Sequence, residues 1–192
     1  TSIITGTQII SHSVYGIYFK YAGVTSSTIE DNTFVDNDTA AYVEGIVKDS
    51  SPSIRGNTAS GSGRKGIELN VTISGTTNLV ANSGLPYIVD GLAIPAGTTL
   101  TLGAGTVLKM QSAIGLVVSG SLQGLGEPGN PVVLTSIRDD AYGGDTNNDG
   151  SATAPAALNW ATIQVFGSLT LDRTVVRYGG YYDSFGIWNR GG

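Results

Sequence analysis

An apolar-x-x-Asn motif recurs three times at one interval: Ile29 to Asn32, Ile54 to Asn57, and Leu79 to Asn82, each set 25 residues after the last. A fixed period in the twenties marks a solenoid, because one such unit buries its apolar face only by stacking on its neighbours. The segment Gly16-Ile17-Tyr18-Phe19-Lys20-Tyr21 alternates so that Ile17, Phe19 and Tyr21 share one face of a strand. Steps of 25 from Ile17 reach Tyr42, Ile67 and Leu92; from Phe19 they reach Glu44, Leu69 and Ile94. Glu44 is the misfit, and a one-residue slip that turns Val43 inward repairs it. Polar clusters at Asp36-Asn37-Asp38, Asp49-Ser50-Ser51-Pro52 and Ser60-Gly61-Ser62-Gly63 read as corners between strands. Short β-branched strands, polar corners and no amphipathic helical period predict an all-β parallel β-helix. Its coils are expected to be about 22–25 residues long and to pair at about 4.8 Å.

The second half continues less regularly, with Leu100, Leu102, Val107, Leu108, Leu116 and Val118 as strand residues. Gly120-Ser121-Leu122 returns as Gly167-Ser168-Leu169, but 47 residues later. Removing a 22-residue excursion over 138–159 restores the period, so one inserted acidic loop is predicted there. Gly186-Ile187-Trp188-Asn189 reads like the strand that opens at Gly16-Ile17. Neither end carries a capping pattern. Residues 1–192 are expected to form a single β-helix segment of a longer or end-to-end stacked array. The edges of its terminal coils would be open to an adjacent repeat or a second copy.

Composition narrows the partners. The net charge is −5 and the isoelectric point is near 4.6, so no basic stripe exists to neutralise phosphates and nucleic acid is excluded as a partner. Cysteine is absent, which removes disulfides and thiolate chemistry. No run of about 18 apolar residues exists to span a bilayer as a helix, so membrane insertion is not expected.

The turns at Asn32-Thr33 and Asn57-Thr58, with asparagines placed to stack, resemble those of the right-handed parallel β-helix superfamily, the pectate-lyase-like fold. The likeness covers nearly the whole chain and is specific for fold rather than activity. The stretch from Asp139 to Gly150, followed by Trp160, is similar to acidic loops inserted in large bacterial surface proteins with such repeats. The resemblance therefore implies a secreted or cell-surface location.

The acidic loop carries the clearest chemical signal. Asp145, Asn147 and Asp149 alternate and Gly150 follows, which is the opening of an EF-hand-type Ca²⁺ loop. The Ser151 carbonyl would be the next ligand, Ala156 stands where a bidentate glutamate is usual, and Asp139 or Asp140 would supply the missing carboxylate. A bound Ca²⁺ would be structural. Asn32, Asn57 and Asn82 are expected to be buried ladder residues rather than ligands. His12, the sole histidine, is expected on the surface.

Tyr178, Tyr181, Tyr182 and Trp188 form an aromatic corner that would suit a contact with surface glycans, against the alternative of packing under the loop. Acids for a lyase-like site do not recur at 25-residue steps: Glu30, Asp31 and Asp36 share one coil, and Gly61 stands 25 residues after Asp36. No catalytic residues are assigned. The expected function is an extracellular, non-catalytic β-helical stalk, filament or adhesin shaft. The alternatives are a fragment of a polysaccharide lyase or hydrolase, or a glycan-binding module.

Overall fold

The computed structural model describes residues 2–22, 27–49, 52–61, 63–182 and 184–191. Ser50, Ser51 and Ser62 of the predicted corners, and the Tyr21 side chain, lie outside that description. Among the described residues there is no helix, and every pairing of one strand with another is parallel. The chain winds as a β-solenoid of about seven turns.

Two three-stranded sheets build the asparagine corner. Ile3–Thr5, Thr28–Glu30 and Ser53–Arg55 form one, with Ile4, Ile29 and Ile54 in line. Gln8–Ile10, Thr33–Val35 and Thr58–Ser60 form the other, with Ile9, Phe34 and Ala59 in line. A four-stranded sheet stacks Thr76–Leu79, Thr99–Leu102, Ser121–Leu125 and Ser168–Asp172. The longest sheet begins with Tyr15–Ala22, Thr39–Lys48, Arg64–Ser74 and Tyr87–Ile94, and then forks. One branch runs through Val107–Met110, Val132–Ser136 and Thr174–Val176; the other runs through Leu116–Val118, Ile163–Val165 and Ile187–Asn189.

Side chains of like kind form vertical files. One inward file of the long sheet is Ile17, Ala41, Ile67, Tyr87, Leu108, Leu134 and Val176; the next is Phe19, Val43, Leu69, Val89 and Met110. Nearly all of these residues are buried, and they make one continuous axial core. This register bears out the inward Val43 and corrects three steps of the 25-residue reading, Tyr42, Leu92 and Ile94, the last replaced by Val89 after Leu69. Tyr42 faces outward beside Tyr18, because the offset across this pair of strands is one residue short of 25. Tyr87, not Leu92, continues the file after Ile67. The coil entering Tyr87–Ile94 is shorter than the first coils, and a bulge at Asp90 shifts the register again, so a fixed step fails there.

The corners explain the Asp/Gly alternation. Gly6, Asp31 and Gly56 adopt left-handed φ of 57°, 54° and 67°, and Ser11, Asp36 and Gly61 adopt 60°, 53° and 83°. Asp31 and Asp36 are therefore turn residues. A Cβ added at Gly56 would lie 2.0 Å from Asp31 Oδ1, and one at Gly61 would lie 2.0 Å from Asp36 Oδ1. Each aspartate thus occupies the space its glycine neighbour leaves empty.

After Ser136 no strand forms until Ile163. Register then resumes, with Leu116 beside Ile163, Ser121 beside Ser168 and Leu122 beside Leu169.

Candidate functional site

The predicted asparagine ladder is present and buried. Asn57 Oδ1 accepts from the backbone N–H of Asn32 at 3.1 Å and from its Nδ2 at 3.0 Å. Asn82 Oδ1 does the same for Asn57 at 3.2 and 3.3 Å, and Asn32 Oδ1 accepts from the Thr7 N–H at 3.0 Å. The amides also donate to carbonyls 28 residues back, Asn32 to Ile4 at 2.9 Å and Asn57 to Ile29 at 2.8 Å. The next carbonyl in that series, Ile54, instead faces the Tyr87 hydroxyl at 3.1 Å; that hydroxyl shares its one proton between Ile54 O and the nearer Val80 O at 2.9 Å and accepts from Asn82 Nδ2 at 3.1 Å. Tyr87 closes the ladder, and its burial pushes the phenol well above its ordinary pKa. A second rung, unforeseen from sequence, is Asn37: its Oδ1 accepts from the His12 N–H at 3.1 Å and its Nδ2 donates to Ile9 O at 2.8 Å. His12 itself is exposed.

The inserted segment folds back over the outer face of the long sheet. The outward file there is Tyr18, Tyr42, Glu68, Ile88, Lys109 and Thr135. Ile88, Lys109 and Thr135 are fully buried, although they point away from the axial core. Lys109 Nζ donates to Gly144 O and to Thr146 Oγ1, both at 2.6 Å. Lys65 holds the same loop through its N–H to Thr146 O at 3.2 Å and its Nζ to Asn148 Oδ1 at 3.2 Å. Burial pushes the Lys109 ammonium down to about 8, against the pull of Asp140, Asp139 and Asp145. Trp160 is buried and donates from Nε1 to Arg177 O at 2.6 Å, which fastens the loop's return.

The six proposed cation ligands separate into distinct roles. Asp139 is buried and committed: its Oδ2 accepts from Thr135 Oγ1 at 2.6 Å and pairs with Arg177 Nη1 at 3.4 Å, and its Oδ1 accepts from the Ala141 N–H at 3.3 Å. Asp145 caps the turn, accepting from the N–H groups of Asp149 at 3.1 Å and Gly150 at 3.0 Å. Asn147 Nδ2 donates to Asp149 Oδ2 at 2.7 Å and to Thr153 Oγ1 at 3.3 Å. Thr153 Oγ1 also donates to Asp149 Oδ2. Ser151 is exposed. Three acceptors remain, Asp140 Oδ1, Asn147 Oδ1 and Asp149 Oδ1, each shielded from solvent and each without a hydrogen-bond donor. Among the described residues no three carboxylate or imidazole side chains converge as a metal cluster; the leftover oxygens are two carboxylates and one amide. The Asp140 carboxyl is pushed up by burial and then by Asp145, with Lys109 opposing and Asp149 and Asp139 adding to the rise.

The aromatic corner is dispersed in its contacts. Tyr178 packs against the axial core under the Arg177 guanidinium, 4.6 Å from its ring centre. Tyr181 and Tyr182 meet edge to face at 4.8 Å and are exposed. Trp188 lies under Arg190, 4.1 Å from the ring centre, and beside Phe185.

A second aromatic group, missed from sequence, lies on the uncovered part of the long sheet. The rings of Tyr15, Tyr18 and Tyr42 lie 4.9–5.7 Å apart. The Tyr18 hydroxyl donates to Glu44 Oε2, which pushes the phenol up to about 12 and holds the carboxyl below its usual range, with Lys20 assisting. Asn70 Nδ2 donates to the Tyr42 hydroxyl at 3.3 Å, that hydroxyl reaches Asp90 Oδ2 at 3.4 Å, and Gln111 Nε2 donates to Asp90 Oδ1 at 3.2 Å. Alongside runs a shallow groove of about 470 Å³, walled by Glu44 and Asn70 and floored in part by Gly45, Gly91 and Gly115. The signal for this row was the outward alternate of the same strands, hidden by the false step that placed Tyr42 inside.

Comparison with protein-family models, curated proteins and solved structures returned no match.

Proposed function

We propose that this chain is a segment of a non-catalytic, extracellular β-helical shaft of the pectate-lyase-like type. The observation that carries the reading is axial continuity. From Thr7 to Asn82 every coil boundary at the corner is bridged by a buried side-chain amide, in line with parallel strand pairing and a continuous apolar file. Such a stack resists bending and proteolysis because interior coils leave no strand edge open. Ile187, on an outermost strand beside the fully buried Ile163, is 39% exposed, which suits coverage by a further coil from an adjacent repeat or a second copy.

Sedimentation and negative-stain microscopy across a concentration series test the self-stacking form. Rods one solenoid wide that lengthen with concentration support it; a particle that stays monomeric at the highest concentration removes it. A second reading, glycan binding, is favoured by the Tyr15-Tyr18-Tyr42 group and its groove. Retention on immobilised polysaccharide that is lost in Tyr18→Ala would support that reading. Unsaturated products released from polyuronates would replace the shaft with a lyase.

A further inference from the structure

We infer that the inserted loop holds one Ca²⁺ ion, bound by Asp140 Oδ1, Asn147 Oδ1 and Asp149 Oδ1, with Asp145 framing the turn. The inference is independent of the shaft reading and rests on the orphaned oxygens rather than on the acidity of the segment.

Each of these three oxygens is closed to solvent and faces no donor. Buried polar atoms are nearly always paired, so three unpaired acceptors in one short segment need a common explanation. Their neighbourhood is shared. Asn147 and Asp149 are hydrogen-bonded to each other, Asp149 is bonded to Asp145 through its N–H, and Asp140 feels the charges of Asp145 and Asp149. The orientation of Asn147 is fixed, because its Nδ2 has two acceptors and a flipped amide would lose both. Most donors nearby are already engaged: two of the three Lys109 ammonium protons on Gly144 and Thr146, Arg177 on Asp139, and the turn N–H groups on Asp145.

A single water has only two protons to offer three acceptors and leaves the carboxylate charges in place. A hard cation satisfies all three oxygens and offsets the charges. The mixture of amide and carboxylate oxygens on an irregular loop suits the adaptable coordination of Ca²⁺ better than the strict octahedron of Mg²⁺. Asp139 is not a ligand, since Thr135, Arg177 and the Ala141 N–H occupy it. With Ala156 at the position of the usual bidentate glutamate, affinity is expected at the weak end of such loops, about 10⁻⁴–10⁻³ M.

The test uses the full chain stripped with chelator, titrated calorimetrically with CaCl₂ and with MgCl₂, with thermal melts alongside. One Ca²⁺ per chain and a rise in melting temperature are expected, with a weaker response to Mg²⁺. Asp149→Asn should bind Ca²⁺ at least about tenfold more weakly, since it loses a carboxylate ligand. Asn147→Asp gives a result that a merely structural loop would not. It should lower the melting temperature in chelator, by adding a carboxylate to an acidic site, and bind Ca²⁺ more tightly than the parent. No heat and no melting shift up to about 10 mM Ca²⁺, well beyond the expected affinity, overturns the inference. So does an Asn147→Asp penalty that is equal with and without Ca²⁺, or an Mg²⁺ response matching that of Ca²⁺.

Discussion

Asn57→Ala removes the central rung of the ladder, and its cost follows from the partners left behind. The Asn32 N–H loses its only acceptor, Asn57 Oδ1, and remains buried between coils. Leaving a buried donor unpaired costs about 1–3 kcal/mol. The bonds to Ile29 O and Asn82 Oδ1 also go, although Asn32 Nδ2 keeps Ile4 O and Asn82 Oδ1 keeps the residue-57 N–H. Adding about 0.5–1.5 kcal/mol for a lost net hydrogen bond gives roughly 1.5–4.5 kcal/mol in all. That is a large share of the about 5–15 kcal/mol available to a folded domain. Urea unfolding followed by far-ultraviolet circular dichroism measures it. Asn57→Asp sharpens the reasoning, because it keeps the shape but aims a buried carboxylate at Ile29 O and Asn82 Oδ1. Its folded-state pKa must rise, so the folded form binds more protons than the unfolded one, and the variant should regain stability as pH falls. Asn57→Ala within about 0.5 kcal/mol of the parent, the range of a featureless surface change, would refute the ladder as a stabilising element.

Other perturbations test other parts of the molecule. Gly56→Ala should cost about 1–2 kcal/mol for a left-handed alanine alone, plus the collision with Asp31 Oδ1. The double change with Asp31→Ala should recover the collision but not the backbone cost, and equal penalties in single and double variants would refute the nesting. Lys109→Met removes the anchor of Gly144 and Thr146, so proteolytic nicking within 138–159 should rise about tenfold, the equivalent of one charge-assisted hydrogen bond; unchanged nicking would dismiss the anchor. The Ser53 hydroxyl, then Arg55, hold the Glu30 carboxyl below its usual range. In acid the unfolded chain therefore binds more protons at this site. Its contribution is present above the ordinary carboxylate range and is lost as pH falls through the depressed folded-state value. Glu30→Gln should flatten the acid limb of stability measured from about pH 3 to 7, a window spanning carboxylate titration, and an unaltered limb would rule the contribution out.

The solenoid was legible because Asn32, Asn57 and Asn82 must repeat at one spacing if each amide is to reach the next. The corner has no freedom to drift. The long sheet does, since its strands hold register through backbone bonds that tolerate coils of different length. Hence the Val43 slip could be read locally from Glu44, whereas the replacement of Leu92 by Tyr87 could not. Asn37 stayed hidden because its neighbours at the same interval, His12 and Ser62, are not asparagines; its rung uses a backbone N–H instead. In the loop, alternating Asp145, Asn147 and Asp149 stand out in the sequence, but only the fold separates Asp139, neutralised by Arg177 and Thr135, from Asp140. The covering of Lys109 has no sequence signal, because it depends on where a strandless segment comes to rest.

The pairing of Leu116 with Ile163 and of Ser121 with Ser168 means that the excursion between them is a detour that the winding ignores. Load passing along the axis goes through the paired strands on either side and bypasses the detour. A corner of this kind works as a mounting bracket. Its contents can be lengthened, exchanged or deleted by evolution or by design, provided the replacement still shelters Ile88, Lys109 and Thr135 from water.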